Sequence, residues 1–263
     1  MKQENAIDVK ALFAKLWDHR FAFMITWVVA AIVIGAATYL IPREYKSTTV
    51  IIPEYNLQET KEIRDIFYEM NLNMEISPRS DMIVPEYYSK IISDPHFLDT
   101  LSVQVVTDQS GKSCTIAQLY PKAKTTEQLY EKMKMDIRCK YSRKDGSSAI
   151  SAIAKDPCVA QQMAILTRDQ LEQRIAAYRQ DNTQRNINYY ASLPESNQLA
   201  QMLLQMEQIR LQQHQPVFIT LVNADVPVHA VAPQRIKIVV ISLIIITLLM
   251  IGWYWRKDIS EWL

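Results

Sequence analysis

The stretch FAFMITWVVAAIVIGAATYLI at residues 21–41 contains no charged side chain, and a second such stretch, IVVISLIIITLLMIGWYW, occupies residues 238–255. Each is close to the ~20 apolar residues that a helix needs to cross a hydrocarbon core about 30 Å thick. A helix satisfies its own backbone hydrogen bonds, so a single segment can cross the hydrocarbon core in this form. The sequence therefore predicts two transmembrane helices, with residues 42–237 as one domain between them.

Basic residues near the ends of the chain favour cytoplasmic termini. The tail at residues 1–20 contains four of them, and the tail at residues 256–263 begins with Arg256 and Lys257 after an aromatic cluster. Lys and Arg that flank a transmembrane helix are enriched on its cytoplasmic side. The bias is modest, because residues 42–237 also have basic side chains close to both apolar segments. We expect both tails in the cytoplasm and the large domain on the opposite side.

Each apolar segment has a second interpretation. The first would be a cleaved signal peptide, with Gly35 and Ala37 as the small residues of the cleavage site. Its apolar run is longer than the usual about 7–15 residues, which favours a retained helix. The second would be a buried core helix. Its content of Ile, Val and Leu and its aromatic and basic end favour a membrane span instead.

Composition and motifs argue against catalysis and against nucleic acid as a partner. The net charge is +1, so no overall positive field points to nucleic acid. The four glycines are too scattered for a phosphate-binding loop, and the four histidines lack metal-ligand spacing. We therefore expect no enzyme activity, no metal and no cofactor.

Cys114, Cys139 and Cys158 all lie between the two apolar segments. An oxidising compartment would permit one disulfide among them and leave one thiol over. Three unpaired thiols are equally consistent with the sequence, so the pairing stays open.

Four runs rich in β-branched residues predict a small sheet. They lie at residues 45–52, 137–143, 148–154 and 217–222. The second and third runs flank Lys144-Asp145-Gly146-Ser147, and Asp-Gly between two strand-like runs is a strong hairpin signal.

Apolar residues at helical spacing predict several shorter helices. They cover residues 7–18, 58–72 and 125–136, the last with Thr126 as a candidate N-cap. Residues 84–101 have the same spacing, and Pro95 is expected to divide them into two short helices.

The longest helical pattern begins at Asp156-Pro157 and continues to about Leu193. Asp is a good N-cap and Pro is favoured at the first helical position. About 36 residues would extend ~54 Å at 1.5 Å per residue. After Pro194, residues 197–213 form a second pattern, which predicts a helical hairpin with a kinked continuous helix as the alternative. The fold class is therefore α+β, with a small-sheet base and an extended helical hairpin.

The hairpin region, residues 161–215, is dense in Gln and Asn with interspersed Arg. A solvated helix surface is the default interpretation. A helix too long to pack on its own small domain usually finds neighbours, so we also expect a multi-chain assembly.

Four segments in order resemble the Wzz family of chain-length determinants, the polysaccharide co-polymerases. The first is the N-terminal tail with the first apolar segment and the exit motif at Pro42, Tyr45 and Ser47, and the second is YYSKIISDPHFLDTL at residues 87–101. The other two are the opening of the long helix and the Ala/Pro-rich segment NADVPVHAVAPQR. Their matching residues are Asp156, Pro157, Ala160, Ala224, Pro227 and Pro233.

The resemblance implies a bacterial inner-membrane protein with cytoplasmic termini and a periplasmic domain at residues 42–237. It implies a ring of identical subunits that sets the length of an exported glycan such as O-antigen, capsule or exopolysaccharide. A separate Wzy-type polymerase would form the bonds, and the partners would be the glycan chain and membrane lipid. The alternative is an adaptor that activates a separate cytoplasmic tyrosine kinase through residues 257–263. The hairpin region is shorter than in typical O-antigen members.

Four residues are expected to shape the ends of the large domain and the membrane helices. Pro227 and Pro233 lock φ and remove backbone donors, which would fix the approach to the second apolar segment. Ala31 and Gly35 form a small-xxx-small pair that would permit close contact between the two spans.

Overall fold

The computed structural model describes residues 20–53, 83–194, 197–212 and 216–260. The chain divides into two compact units, one of residues 45–229 and one of the segments on either side of that range. The helices predicted at residues 7–18 and 58–72 lie outside the described residues.

Strands and helices occur singly or in consecutive pairs along the described chain. The strands are β1 (Glu44–Pro53), β2 (Val105–Thr107), β3 (Ser113–Thr115), β4 (Ile137–Tyr141), β5 (Ser148–Ala154), β6 (Phe218–Val222) and β7 (Ala230–Ala232). The α-helices are α1 (Arg20–Tyr39), α2 (Tyr88–Ile92), α3 (Pro95–Ser102), α4 (Thr126–Asp136), α5 (Pro157–Ala191), α6 (Gln198–Gln212) and α7 (Arg235–Ser260). Short 3₁₀ turns occur at Pro85–Tyr87 and Ile116–Leu119.

The four predicted strands lie in one antiparallel sheet in the order β4-β5-β1-β6. The predicted hairpin between β4 and β5 is confirmed, although β4 ends at Tyr141 instead of residue 143. The strand ends there because the chain turns: the Ser142 amide donates to the Ser147 carbonyl at 2.8 Å. Gly146 has a φ of +68°, which favours glycine in this turn.

A second, two-stranded hairpin of β2 and β3 is absent from the prediction. Its turn is fastened by the Asp108 carboxylate, which accepts hydrogen bonds from the Ser110 and Lys112 amides at 2.9 Å each. Gly111 adopts a φ of +83°. Each strand has three residues, which is too short for an alternating pattern to be visible in the sequence.

The shorter helices follow the predicted pattern with one correction. A Pro95 break separates α2 from α3, as predicted. The N-cap of α4 is Thr125, and the prediction of Thr126 is wrong. The Thr125 backbone is extended and its hydroxyl accepts the Gln128 amide at 3.3 Å, whereas Thr126 is already helical.

One face of the sheet packs on helices to form the core of the larger unit. Alternate residues of β1 are buried, ending with Ile51 and Pro53. Leu98, Leu101 and Met163 from the helices are also fully buried in this core. Burying such a side chain stabilises the fold by roughly 1.5–3 kcal/mol, so the core fixes the helices on the sheet.

The predicted helical hairpin is confirmed, and the kinked continuous helix is wrong. The two helices α5 and α6 pack against each other, and the Asn186 side-chain amide donates to Glu207 Oε1 at 3.4 Å between them. The first helix has 35 residues and extends ~52 Å. It ends at Ala191 instead of Leu193, since the Ser192 amide closes the last turn on the carbonyls of residues 188–190.

In the smaller unit, α1 and α7 pack together. Trp27 Nε1 donates to Thr247 Oγ1 at 3.0 Å, and the Arg235 guanidinium lies 4.0 Å from the centre of the Tyr39 ring. Among the described residues, no helix is both long enough and apolar enough to cross a membrane. The two predicted transmembrane helices are therefore not confirmed.

The three cysteines are free thiols, so no disulfide joins them. Cys139 lies on β4 facing the core, and burial raises the pKa of its thiol to about 12. A thiol with such a pKa is a poor nucleophile at neutral pH, because the thiolate is the reactive form.

Candidate functional site at the root of the helical hairpin

The long helix begins on a cap that the sequence predicts. Asp156 has an extended backbone, and its Oδ1 accepts hydrogen bonds from the Cys158 amide at 2.8 Å and the Val159 amide at 3.1 Å. Pro157 occupies the first helical position, where no intrahelical amide bond is needed. A carboxylate at this end also interacts favourably with the helix dipole.

The same carboxylate holds a second part of the chain. Asp156 Oδ2 accepts a hydrogen bond from the Gln109 amide at 3.3 Å. Gln109 lies in the turn between β2 and β3. One side chain therefore joins the start of α5 to the small hairpin.

Gln162, one turn further along α5, makes a two-way hydrogen bond with the backbone of Thr107. Its Oε1 accepts the Thr107 amide at 2.8 Å, and its Nε2 donates to the Thr107 carbonyl at 2.8 Å. Both backbone groups of Thr107 are satisfied in this way, as a neighbouring strand would satisfy them. The small hairpin is thereby fixed along the first turns of the helix.

The chain that returns from the hairpin is bound at the same place. Gln161 Nε2 donates to the Ala224 carbonyl at 2.9 Å, and Ala224 is buried. On the strand side, the Ser47 hydroxyl donates to the Asp225 carbonyl at 2.7 Å and the Thr49 hydroxyl to the Val222 carbonyl at 2.9 Å. The return segment is thus held between α5 and β1.

We define the hairpin root as residues 107–109, 156–162 and 222–225, together with Ser47 and Thr49. Both hydroxyls are buried. A buried polar group left without its partner costs about 1–3 kcal/mol, so these bonds fix the direction in which the hairpin leaves the sheet.

The hairpin root brings together four residues predicted from the family resemblance. They are Asp156, Pro157, Ala160 and Ala224; Ala160 is fully buried in α5. Tyr45 lies in the sheet opposite Ala154, two residues before Ser47 on β1. The functional roles of these residues stay predictions.

The remaining motif residues lie outside the hairpin root. Pro227 is half-buried in the segment after it. Pro42 precedes β1 and Pro233 precedes α7, and both belong to the smaller unit. The Pro233 carbonyl accepts the Arg235 amide at 2.9 Å, so this proline adjoins the first turn of α7.

Ala31 and Gly35 are half-buried in α1. A Cβ atom added at Gly35 would meet no other atom within 4 Å. The contact between α1 and α7 of one chain therefore does not require glycine at this position.

Sequence reasoning missed Gln161 and Gln162 because both lie in the Gln-dense segment interpreted as a solvated surface. Gln170 has a similar role, donating from Nε2 to the Phe97 carbonyl at 2.7 Å. The acceptor carbonyls are 55–73 positions away in sequence, so no local pattern indicates them.

Asp108, in the turn between β2 and β3, is a carboxyl of the hairpin root with a shifted pKa. Hydrogen bonds from the Ser110 hydroxyl and from the Lys112 and Ser110 amides hold the pKa of Asp108 below its ordinary value. Within the described ranges, no group of three or more His, Cys, Asp or Glu residues is arranged to hold a metal ion. The geometry is that of a hydrogen-bonded junction between a sheet and a long hairpin.

Comparisons with known proteins give one family match. The family model "Wzz: Chain length determinant protein" matches residues 5–105, which confirms the resemblance over that part of the chain. No curated protein sequence gives a significant match.

Two solved structures are similar to the chain. A "full-length bacterial polysaccharide co-polymerase" has a TM-score of 0.44 and 11% identity, with 98% of each chain covered. A fragment of WzzB, a polysaccharide co-polymerase from Salmonella Typhimurium, has a TM-score of 0.43 and 10% identity. That match covers 72% of this chain and 100% of the fragment.

Proposed function

Because residues 5–105 match the chain length determinant family, we propose that this chain regulates the length of an exported polysaccharide. The glycan would be an O-antigen, a capsule or an exopolysaccharide. The chain forms no glycosidic bond itself; a Wzy-type polymerase does so. The chain acts as a scaffold that determines when extension stops.

The hydrogen bonds of the hairpin root support a scaffold. A hairpin about 50 Å long is useful as a scaffold only if its direction is fixed relative to its base. Bonds from Asp156, Gln161 and Gln162 fix it on one side, and those from Ser47 and Thr49 on the other. We propose that identical subunits stand side by side in a ring and present their hairpins in one direction.

Anchoring in the bacterial inner membrane is part of the proposal. Residues 21–41 and 238–255 would span it, with both termini in the cytoplasm and the large domain in the periplasm. The absence of charged side chains in both segments supports this arrangement. So do the apolar side chains that α1 and α7 expose, such as Ile32 and Leu249.

The kinase-adaptor alternative depends on residues 257–263. Part of that tail lies outside the described residues, and it stays a prediction.

The family match over residues 5–105 is the observation on which this function depends most. Deletion of the gene, followed by gel separation of the surface glycan, tests it. We expect the distribution to lose its preferred length and to regain it when the full chain is expressed. An unchanged distribution after deletion would contradict the proposal.

A further inference from the structure

The outward face of the distal half of α5 has two exposed tyrosines. Tyr178 is 49% exposed and Tyr189 is 62% exposed. They are eleven positions apart, close to three full turns, so both rings lie on one side of the helix about 16 Å apart. We call this face, with Arg174, Tyr178, Asp181, Arg185, Asn188 and Tyr189, the outer stripe.

Polar side chains lie along α5 between the two rings. Arg185 pairs with Asp181 one turn before it, so their charges compensate each other. Gln184 Nε2 donates to Asn188 Oδ1 at 3.2 Å, which uses the acceptor of Asn188 and orients its amide. All four side chains are exposed or border on solvent. The stripe thus presents donors and acceptors between two aromatic rings.

The ring of Tyr189 is oriented by its neighbour. Its centroid lies 5.5 Å from that of Tyr190 with an interplanar angle of 63°, an edge-to-face arrangement. Such pairs are favourable, and a ring already held in place loses less conformational entropy when it binds a ligand.

The composition of the outer stripe is unlike that of a helix–helix seam. A seam requires apolar side chains at about every three or four residues, whereas this stripe has no aliphatic side chain at any of its six positions. The apolar Ile175 and the buried Thr183 lie elsewhere on the helix. Rigid tyrosines interspersed with adaptable polar groups are instead typical of surfaces that recognise ligands rich in hydrogen-bonding groups.

We propose that the outer stripe binds the glycan chain whose length the protein regulates. This inference rests on the proposed function. The Tyr178 and Tyr189 rings stack on the apolar C–H faces of sugar rings, and Asp181, Arg185 and Asn188 bond to hydroxyl groups between them. The glycan lies along the hairpin axis, in register with two contacts about 16 Å apart.

The test uses the full chain with Tyr178→Ala and Tyr189→Ala combined, expressed in cells that lack the natural gene. Tyr87→Ala is the matched control, since Tyr87 is 51% exposed and belongs to the 3₁₀ turn at Pro85–Tyr87, not to the hairpin helices. A second variant, Tyr178→Phe with Tyr189→Phe, keeps both rings. We expect the double alanine variant to lose the preferred glycan length, and the control and the phenylalanine variant to keep it.

Two further measurements distinguish a loss of glycan binding from a loss of assembly. The detergent-solubilised assembly should have the same mass in all variants. Glycan released from the same cells and freed of its lipid should bind the double alanine variant at least about tenfold more weakly, because two ring contacts are lost.

The contrary outcomes are distinct. A wild-type glycan distribution from the double alanine variant would overturn the inference and leave the proposed function standing. A smaller assembly would overturn it in favour of a contact between copies of this chain. If deletion of the whole gene leaves the glycan unchanged, the proposed function fails, and this inference fails with it.

Discussion

Gln162 and Thr107 are 55 positions apart, and one side-chain amide satisfies both backbone groups of the threonine. We expect Gln162→Ala to lower the free energy of unfolding by about 1–3 kcal/mol, since two partly buried groups lose their partner. Thermal unfolding of the solubilised protein measures it. Gln180→Ala is the control, because Gln180 is exposed on the same helix and its loss should change stability by less than about 0.5 kcal/mol. Equal effects of the two changes would contradict the role of Gln162.

The cap of α5 should tolerate one substitution of Asp156 and not another. Asparagine is as good an N-cap as aspartate and loses only the bond that Oδ2 accepts from the Gln109 amide, whereas alanine also loses the bonds from the Cys158 and Val159 amides. We expect Asp156→Ala to cost about 0.5–2 kcal/mol and Asp156→Asn to cost less. Denaturant unfolding midpoints compare the two. An asparagine variant as unstable as the alanine variant would show that Asp156 does not stabilise the fold by capping α5.

The buried hydroxyl of Thr49 should matter more than that of its neighbour. Thr49→Val keeps the shape but leaves the Val222 carbonyl without its donor, which should cost about 1–3 kcal/mol. Thr48→Val is the control, since Thr48 lies on the opposite face of β1 and is half-buried. Valine is favoured in strands, so this change should be neutral or slightly stabilising. Equal losses of stability in the Thr49→Val and Thr48→Val variants would contradict a stabilising role for the Thr49 hydrogen bond.

The turn at Asp108 should make stability depend on pH in acid. Its pKa is lower in the folded chain than in the unfolded one, so its contribution is present above the unfolded pKa of about 3.9. That contribution is lost as the pH falls through the folded pKa. The difference in melting temperature between the natural chain and Asp108→Asn should therefore be largest at neutral pH and shrink below about pH 4. A difference that stays constant from pH 7 to pH 3 would contradict this account.

The sheet and the hairpin were predictable because their signals are local. Asp145-Gly146 indicates one turn, and Asp156-Pro157 indicates the start of one helix. The root was only partly predictable. Gln161 and Gln162 bond to carbonyls that the fold brings near, and nothing in the neighbouring sequence distinguishes them from the solvated glutamines of the same helix. The choice between Thr125 and Thr126 depends on which of them is extended, which composition does not reveal.

We propose that the chain sets glycan length without forming glycosidic bonds itself. Reconstitution of the polymerase with lipid-linked repeat units, with and without this protein, measures the length distribution of the product directly. We expect the total number of bonds formed to be similar in both, and the lengths to change from a broad distribution to one with a preferred value when the chain is present. The same distribution with and without it, or polymer formed by the chain in the absence of the polymerase, would contradict the account.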